Sequence, residues 1–136
     1  MSSRQLKRLI PVVVMAGLTG APSVQADEFT QEDLKRWEGQ FMEVVKQGRD
    51  LWTHPLGTNS VSCAQCHPNA ANTHPETYPK FQKQLGKVAL IGDMINWCIR
   101  NPAEGQPLAL DDPKMIAIQA YINYERRGVP MAPGKH

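Results

Sequence analysis

Cysteine is scarce in this sequence: 136 residues contain three, Cys63, Cys66 and Cys98. Cys63 and Cys66 form a C-x-x-C, but there is no second C-x-x-C and no H-x-x-x-H to complete a zinc tetrahedron. No strand pattern precedes Cys63, which argues against the strand-to-helix turn of a redox dithiol. No apolar run approaches the ~20 residues that a spanning helix needs. Internal repeats, low-complexity segments and an apolar–polar alternation of strand type are all missing, which leaves an all-α reading. There is also no basic stripe to suggest nucleic acid and no polybasic cluster to suggest a lipid surface.

What is present begins with a leader. Arg4, Lys7 and Arg8 form a basic start, Leu9 to Leu18 an apolar stretch broken by Pro11 and Gly17, and Val24-Gln25-Ala26 a small-residue cleavage pattern. Residues 1–26 are therefore expected to be a secretory signal, and 27–136 a single mature domain exported to the periplasm, off the membrane after cleavage. Whole-chain counts are 15 basic and 13 acidic residues; without the three basic residues of the leader they become 12 and 13, a formal net of −1. The positive charge of the full sequence belongs mainly to the leader.

The two cysteines continue into Cys63-Ala64-Gln65-Cys66-His67, a C-x-x-C-H. This is the attachment signature of a c-type haem. The cysteines add across the vinyl groups as thioethers, and the histidine that follows is held under the iron as proximal ligand. Cys63, Cys66 and His67 are the expected cofactor-binding residues, and haem c, one and covalent, is the expected cofactor. A domain of this size buries a modest core, and a large apolar cofactor would serve as its centre. With two cysteines used in thioethers, Cys98 is left alone.

Along the chain, Thr30 with Asp33 makes a capping-box-like start. Leu34, Trp37, Phe41, Val44 and Val45 then recur at helical spacing to about Gln47, with Gly48 as the expected stop. Residues 53–62 read as a polar loop, and Trp52 as a haem-edge or core aromatic rather than an electron relay. Pro68, Pro75 and Pro79 mark an irregular loop expected to fold over one haem face. A second helix is predicted from Gly86 to Arg100, with Val88, Ile91, Ile95, Cys98 and Ile99 on its apolar side and Asn101-Pro102 ending it. Asp111-Asp112-Pro113 opens a third, closed by Gly128, and residues 129–136 read as extended. The fold class is all-α: a small class I-like cytochrome c fold, with three to four helices around one covalent haem.

The residue opposite His67 decides the chemistry, because the distal ligand sets potential and reactivity. Met94, Cys98, Met115, Met131, His54 and His74 are candidates. Met115 lies at a plausible distance downstream but in the first turn of a capped helix, where core packing is the stronger reading. Met94 is brought near by the second helix, and Met131 lies in a Pro-rich loop that suits a ligating methionine. His74, beside a proline, reads as exposed. Cys98 is on the apolar side of its helix, where ligand and buried small hydrophobe are equally open.

The run Met94-Ile95-Asn96-Trp97-Cys98-Ile99-Arg100-Asn101-Pro102 is followed by Gly105-Gln106-Pro107-Leu108, the helix from Lys114 to Glu125, and Arg127-Gly128-Val129-Pro130. It resembles the cytochrome c domain shared by SoxA and thiosulfate dehydrogenase, over roughly Gly48 to Pro130. The resemblance implies that Cys98 is the distal ligand, making His67 and Cys98 the metal pair. It also implies a sulfur-oxidation partner. Asn96 is a lesser alternative, since a related haem family uses an asparagine near this position as a labile ligand. Arg100 and Lys87 are candidate cations for an anionic sulfur substrate, with solvated surface charge the stronger reading of both.

One C-x-x-C-H means no second haem in the chain to accept electrons, and no catalytic constellation accompanies Cys98. The first expectation is thus an electron carrier rather than an enzyme, exchanging single electrons with redox partner proteins in the periplasm through an exposed haem edge. The second is a haem subunit that handles thiosulfate or another sulfur compound, in which Cys98 would be modified to a persulfide. The third is a gas-binding or sensing protein with a labile sixth site.

Overall fold

The computed structural model describes residues 29–136, so the leader read at residues 1–26 lies outside the described residues. Helix α1 (Gln31–Thr53) opens on the expected capping box: the Thr30 hydroxyl accepts from the Asp33 N–H, and the Asp33 carboxylate accepts from the Thr30 N–H. It does not stop at Gly48. The helix runs to Thr53 because Gly48 is buried where α1 crosses α4 (Pro113–Glu125), the helix that makes its principal packing partner. A Cβ added at Gly48 would overlap the Ala117 carbonyl and press within 2.8 Å of the Tyr121 Cβ. The glycine thus permits close helix approach, a packing role that outweighs its poor helix propensity.

After α1 the chain passes through a loop to the one-turn helix α2 (Cys63–Cys66), then through 3-10 turns at Pro68–Ala70 and Pro75–Thr77. Next comes an antiparallel hairpin, β1 (Lys80–Gln82) and β2 (Lys87–Ala89), in which Lys80 pairs with Ala89, Phe81 with Val88 and Gln82 with Lys87. Its turn is closed by Gly86 at φ 66°, a left-handed conformation that suits glycine. The fold remains mostly helical, with this one short hairpin added, and α3 (Ile91–Arg100) starts at Ile91 rather than Gly86. Three-residue strands carry too few alternations to register as a period.

The end of α3 and the start of α4 match the sequence, while α4 ends at Glu125, three residues before the glycine expected to close it. Helix α3 stops before Asn101-Pro102, and Asp112 caps α4 by accepting from the Lys114 N–H, with Pro113 at the first position. The core joins Val45 and Trp52 of α1 to Ile95 and Ile99 of α3 and to Met115, Ile118, Tyr121 and Ile122 of α4. Residues 129–136 turn rather than extend freely: Ala132 N–H donates to the Glu76 carbonyl at 2.8 Å, and Gly134 N–H to those of Thr77 and Pro79 at 2.9 and 3.0 Å.

Candidate haem-binding site

Helix α2 places Cys63, Cys66 and His67 on the wall of a cavity of about 400 Å³. More of the lining comes from α3, where Ile91, Met94, Ile95, Cys98 and Ile99 recur every three or four positions and so share one side. Trp52, Tyr78, Trp97 and Ile122 add to a lining that is predominantly apolar, and Lys80 and Gln82 enter from the hairpin. A concave, apolar space of this size with a few convergent polar groups is the usual form of a cofactor site.

His67 is held on two sides. Its Nδ1 lies 2.9 Å from the Ala71 carbonyl, which accepts only, so Nδ1 carries the proton and Nε2 keeps its lone pair. Its own carbonyl accepts from the Trp52 indole N–H at 2.9 Å, from a side chain that is 3 % exposed. The imidazole is therefore set in one tautomer, the arrangement a metal-ligating histidine requires.

Three sulfurs converge on this space. Burial pushes the Cys63 thiol up to about 11, with Cys98 and Cys66 adding to the effect, and burial followed by Cys66 raises Cys98. Apolar surroundings disfavour the thiolate in both. Their mutual influence reflects proximity within one cavity, and the C-x-x-C-H with a third sulfur in the same lining is a donor set that fits a covalently attached haem.

The remaining candidates separate cleanly. Met94 shares the cavity wall with Cys98. Met115 is fully buried in the core and does not line the cavity, in keeping with its packing role. Met131 is 70 % exposed. His54 is exposed and its Nδ1 bonds the Asp50 carbonyl, while His74 pairs through Nδ1 with Glu76 at 3.0 Å. Asn96 is fully engaged elsewhere: its Nδ2 donates to the Leu108 carbonyl and its Oδ1 accepts from the Leu108 N–H, both at 2.8 Å. That removes Asn96 from ligand duty and explains its place two residues before Cys98. On a helix, the two project to different sides, one tying down the 105–108 loop and the other lining the cavity.

Neither candidate cation lies in the cavity, in keeping with their reading as solvated charges. Arg100 is exposed, and Lys87 pairs with Asp93 at 3.2 Å on the surface. The cation in the wall is Lys80, with Tyr78 beside it. Both belong to a stretch whose prolines read as irregular loop; the only available signal is the Gly86 turn that parts Lys80-Phe81-Gln82 from Lys87-Val88-Ala89.

Helices around a cavity entered by C-x-x-C-H define a small class I-like cytochrome c domain. Residues 47–131 match the family model of the SoxA/TsdA cytochrome c domain, and the chain belongs to that family. A cytochrome c domain implies haem c as its cofactor. The chain is similar to the L-cysteine S-thiosulfotransferase subunit SoxA of Rhodovulum sulfidophilum, 28% identical over 111 residues that cover 79% of this chain and 39% of that protein. It is also similar to the thiosulfate dehydrogenase of Psychrobacter arcticus, 24% identical over 127 residues covering 82% and 37% of the two chains. Among solved structures, SoxXA from P. pantotrophus shares the fold with a TM-score of 0.65 at 24% identity, over 75% of this chain and 40% of that one. This chain thus spans less than half the length of these relatives.

Proposed function

We propose that this chain is an exported c-type cytochrome that carries one covalent haem and passes single electrons between periplasmic partner proteins. The observation that carries the reading is that Cys63, Cys66, His67 and Cys98 all line one predominantly apolar cavity. Haem, when bound, supplies one-electron chemistry whose potential is tuned by its axial ligands and surroundings. The chain's own residues do the rest. Cys63 and Cys66 fix the group by thioethers, and His67 presents Nε2 in a tautomer set by Ala71. Trp52 holds the His67 backbone, Cys98 offers sulfur from α3, and the apolar lining excludes water. No helix among the described residues is long and apolar enough to cross a membrane.

A second reading is favoured by the relatives. Two of them are named as a thiosulfotransferase subunit and a thiosulfate dehydrogenase, which supports a haem domain serving sulfur-compound oxidation with a partner chain. Electron paramagnetic resonance of the ferric protein and its Cys98→Ala variant tests the ligand set. A low-spin thiolate signal lost in the variant establishes His67 and Cys98; an unchanged low-spin signal sinks Cys98 and turns attention to Met94. A high-spin wild type would favour ligand binding over electron transfer. Reduction of the haem by thiosulfate alone would favour the second reading over a simple carrier.

A further inference from the structure

The polar corner of the cavity has no role in the donor set above. Among the described residues lining the cavity, Lys80 is the one lysine or arginine, and there is no aspartate or glutamate. Its Nζ rests 4.9 Å from the centre of the Tyr78 ring, and no carboxylate among the described residues pairs with it. Tyr78 is buried, and its hydroxyl accepts from Gln82 Nε2. With one lone pair occupied by Gln82, the phenol proton has no acceptor among the described residues and remains available as a donor.

This corner is also built to stay in place. Lys80 is paired with Ala89 across the hairpin, and the carbonyls of Thr77 and Pro79, which flank Tyr78, are both bonded by Gly134 N–H. The Lys80 ammonium over the Tyr78 ring and the Tyr78 O–H thus lie in a predominantly apolar wall, a positive charge and a donor with no anion among the described residues that line it. Lys80 is half-buried and Tyr78 buried, so an oxyanion entering the cavity would meet a cation and a donor together and gain charge-assisted hydrogen bonds from both.

We propose that Lys80 and Tyr78 form an oxyanion-binding corner of the haem cavity. The chemistry is that of a carboxylate or a sulfur oxyanion, and it has two sources: a propionate of the haem itself, or a free inorganic sulfur anion entering beside Cys98. The inference rests on the haem reading of the cavity.

The test uses matured holoprotein, wild type and the variants Lys80→Gln, Lys80→Arg and Tyr78→Phe, each checked for native helicity. In the first arm, resonance Raman reads the propionate bending band, and a redox titration reads the midpoint potential. A propionate in the corner shifts the band in Lys80→Gln and Tyr78→Phe and restores it in Lys80→Arg. Loss of the cation also displaces the one-electron equilibrium toward the ferric state, by up to tenfold, about 59 mV. In the second arm, thiosulfate is titrated at fixed ionic strength and followed in the haem spectrum. A free oxyanion in the corner weakens roughly tenfold in Lys80→Gln and recovers in Lys80→Arg. Movement in either arm supports the corner and names its source; no movement in both overturns it. Wild-type protein purified without covalent haem would sink the haem reading instead. The thiosulfate titration, followed by fluorescence of Trp52 and Trp97 in the same wall, would still decide the corner.

Discussion

The indole N–H of Trp52 donates to the carbonyl of His67 at 2.9 Å, joining the last turn of α1 to the residue that follows the second cysteine. The same indole lies 5.8 Å from the Tyr121 ring, centre to centre, so one side chain links the site to both long helices.

Replacing Trp52 by phenylalanine keeps most of the packing and removes that bond. The His67 carbonyl is then left in a part-buried position without its donor, a loss of about 1–3 kcal/mol. Urea unfolding of the holoprotein should show a lowered midpoint with an unchanged slope. A midpoint equal to wild type would mean that the bond does not hold the site.

Gly48→Ala is expected to be among the most damaging small changes in the chain. The added methyl meets the Ala117 backbone, which cannot turn aside as a flexible side chain would. Forced overpacking at a helix crossing costs about 1–3 kcal/mol or more. Thermal denaturation should report a clear drop, whereas Gly39→Ala, with nothing within 4 Å of the new methyl, should hold or gain stability.

Asn96→Ala removes two hydrogen bonds to one residue, Leu108. A net loss of about 2 kcal/mol follows from two bonds of ordinary strength. Hydrogen exchange should rise at Leu108, while the haem spectrum should keep its sixth ligand. Loss of that ligand in this variant would reopen Asn96 as a metal contact.

Acid should weaken the fold through Glu76 and Asp93. Burial works to raise Glu76, but its backbone bond, His74 and Arg126 outweigh this and hold the carboxyl below its ordinary 4.5. The Leu90 N–H, aided by Lys87, lowers Asp93 from 3.8. A folded-state value below the unfolded one means the native state binds fewer protons. Stability from these groups is therefore complete above the ordinary carboxylate values and is lost as pH falls through them toward the lowered ones. Denaturant midpoints measured from pH 6 to pH 3 should fall, and Glu76→Gln should flatten part of that slope. An equally steep slope in Glu76→Gln would exclude this residue as a source.

Much of this molecule is legible in its amino-acid order. The cap at Thr30, the cap at Asp112 and the stop before Pro102 are local events, each decided by residues within a turn of one another. The C-x-x-C-H and the apolar side of α3 are equally plain, because spacing alone puts Cys98 among Ile91, Ile95 and Ile99. Gly48 misleads because its meaning lies in Ala117, nearly seventy positions away, and a glycine at a helix crossing looks like a glycine at a helix end. Asn96 is ambiguous for a similar reason: its partner Leu108 sits in a loop that no periodicity reveals. Tyr78 and Lys80 escape a reading of the residues because long-range backbone pairing, of Lys80 with Ala89 and of the Tyr78 neighbours with Gly134, fixes their place at the cavity.

The backbone bonds from Ala132 and Gly134 to Glu76, Thr77 and Pro79 have an order-of-assembly consequence. During synthesis from the N-terminus, the stretch bearing Tyr78 emerges more than fifty residues before the amides that fasten it. Until then one side of the cavity lacks its latch, while Cys63, Cys66 and His67 are already made. A chain cut after Glu125 would keep Tyr78 and the hairpin but lose the three backbone bonds that fasten residues 76–79.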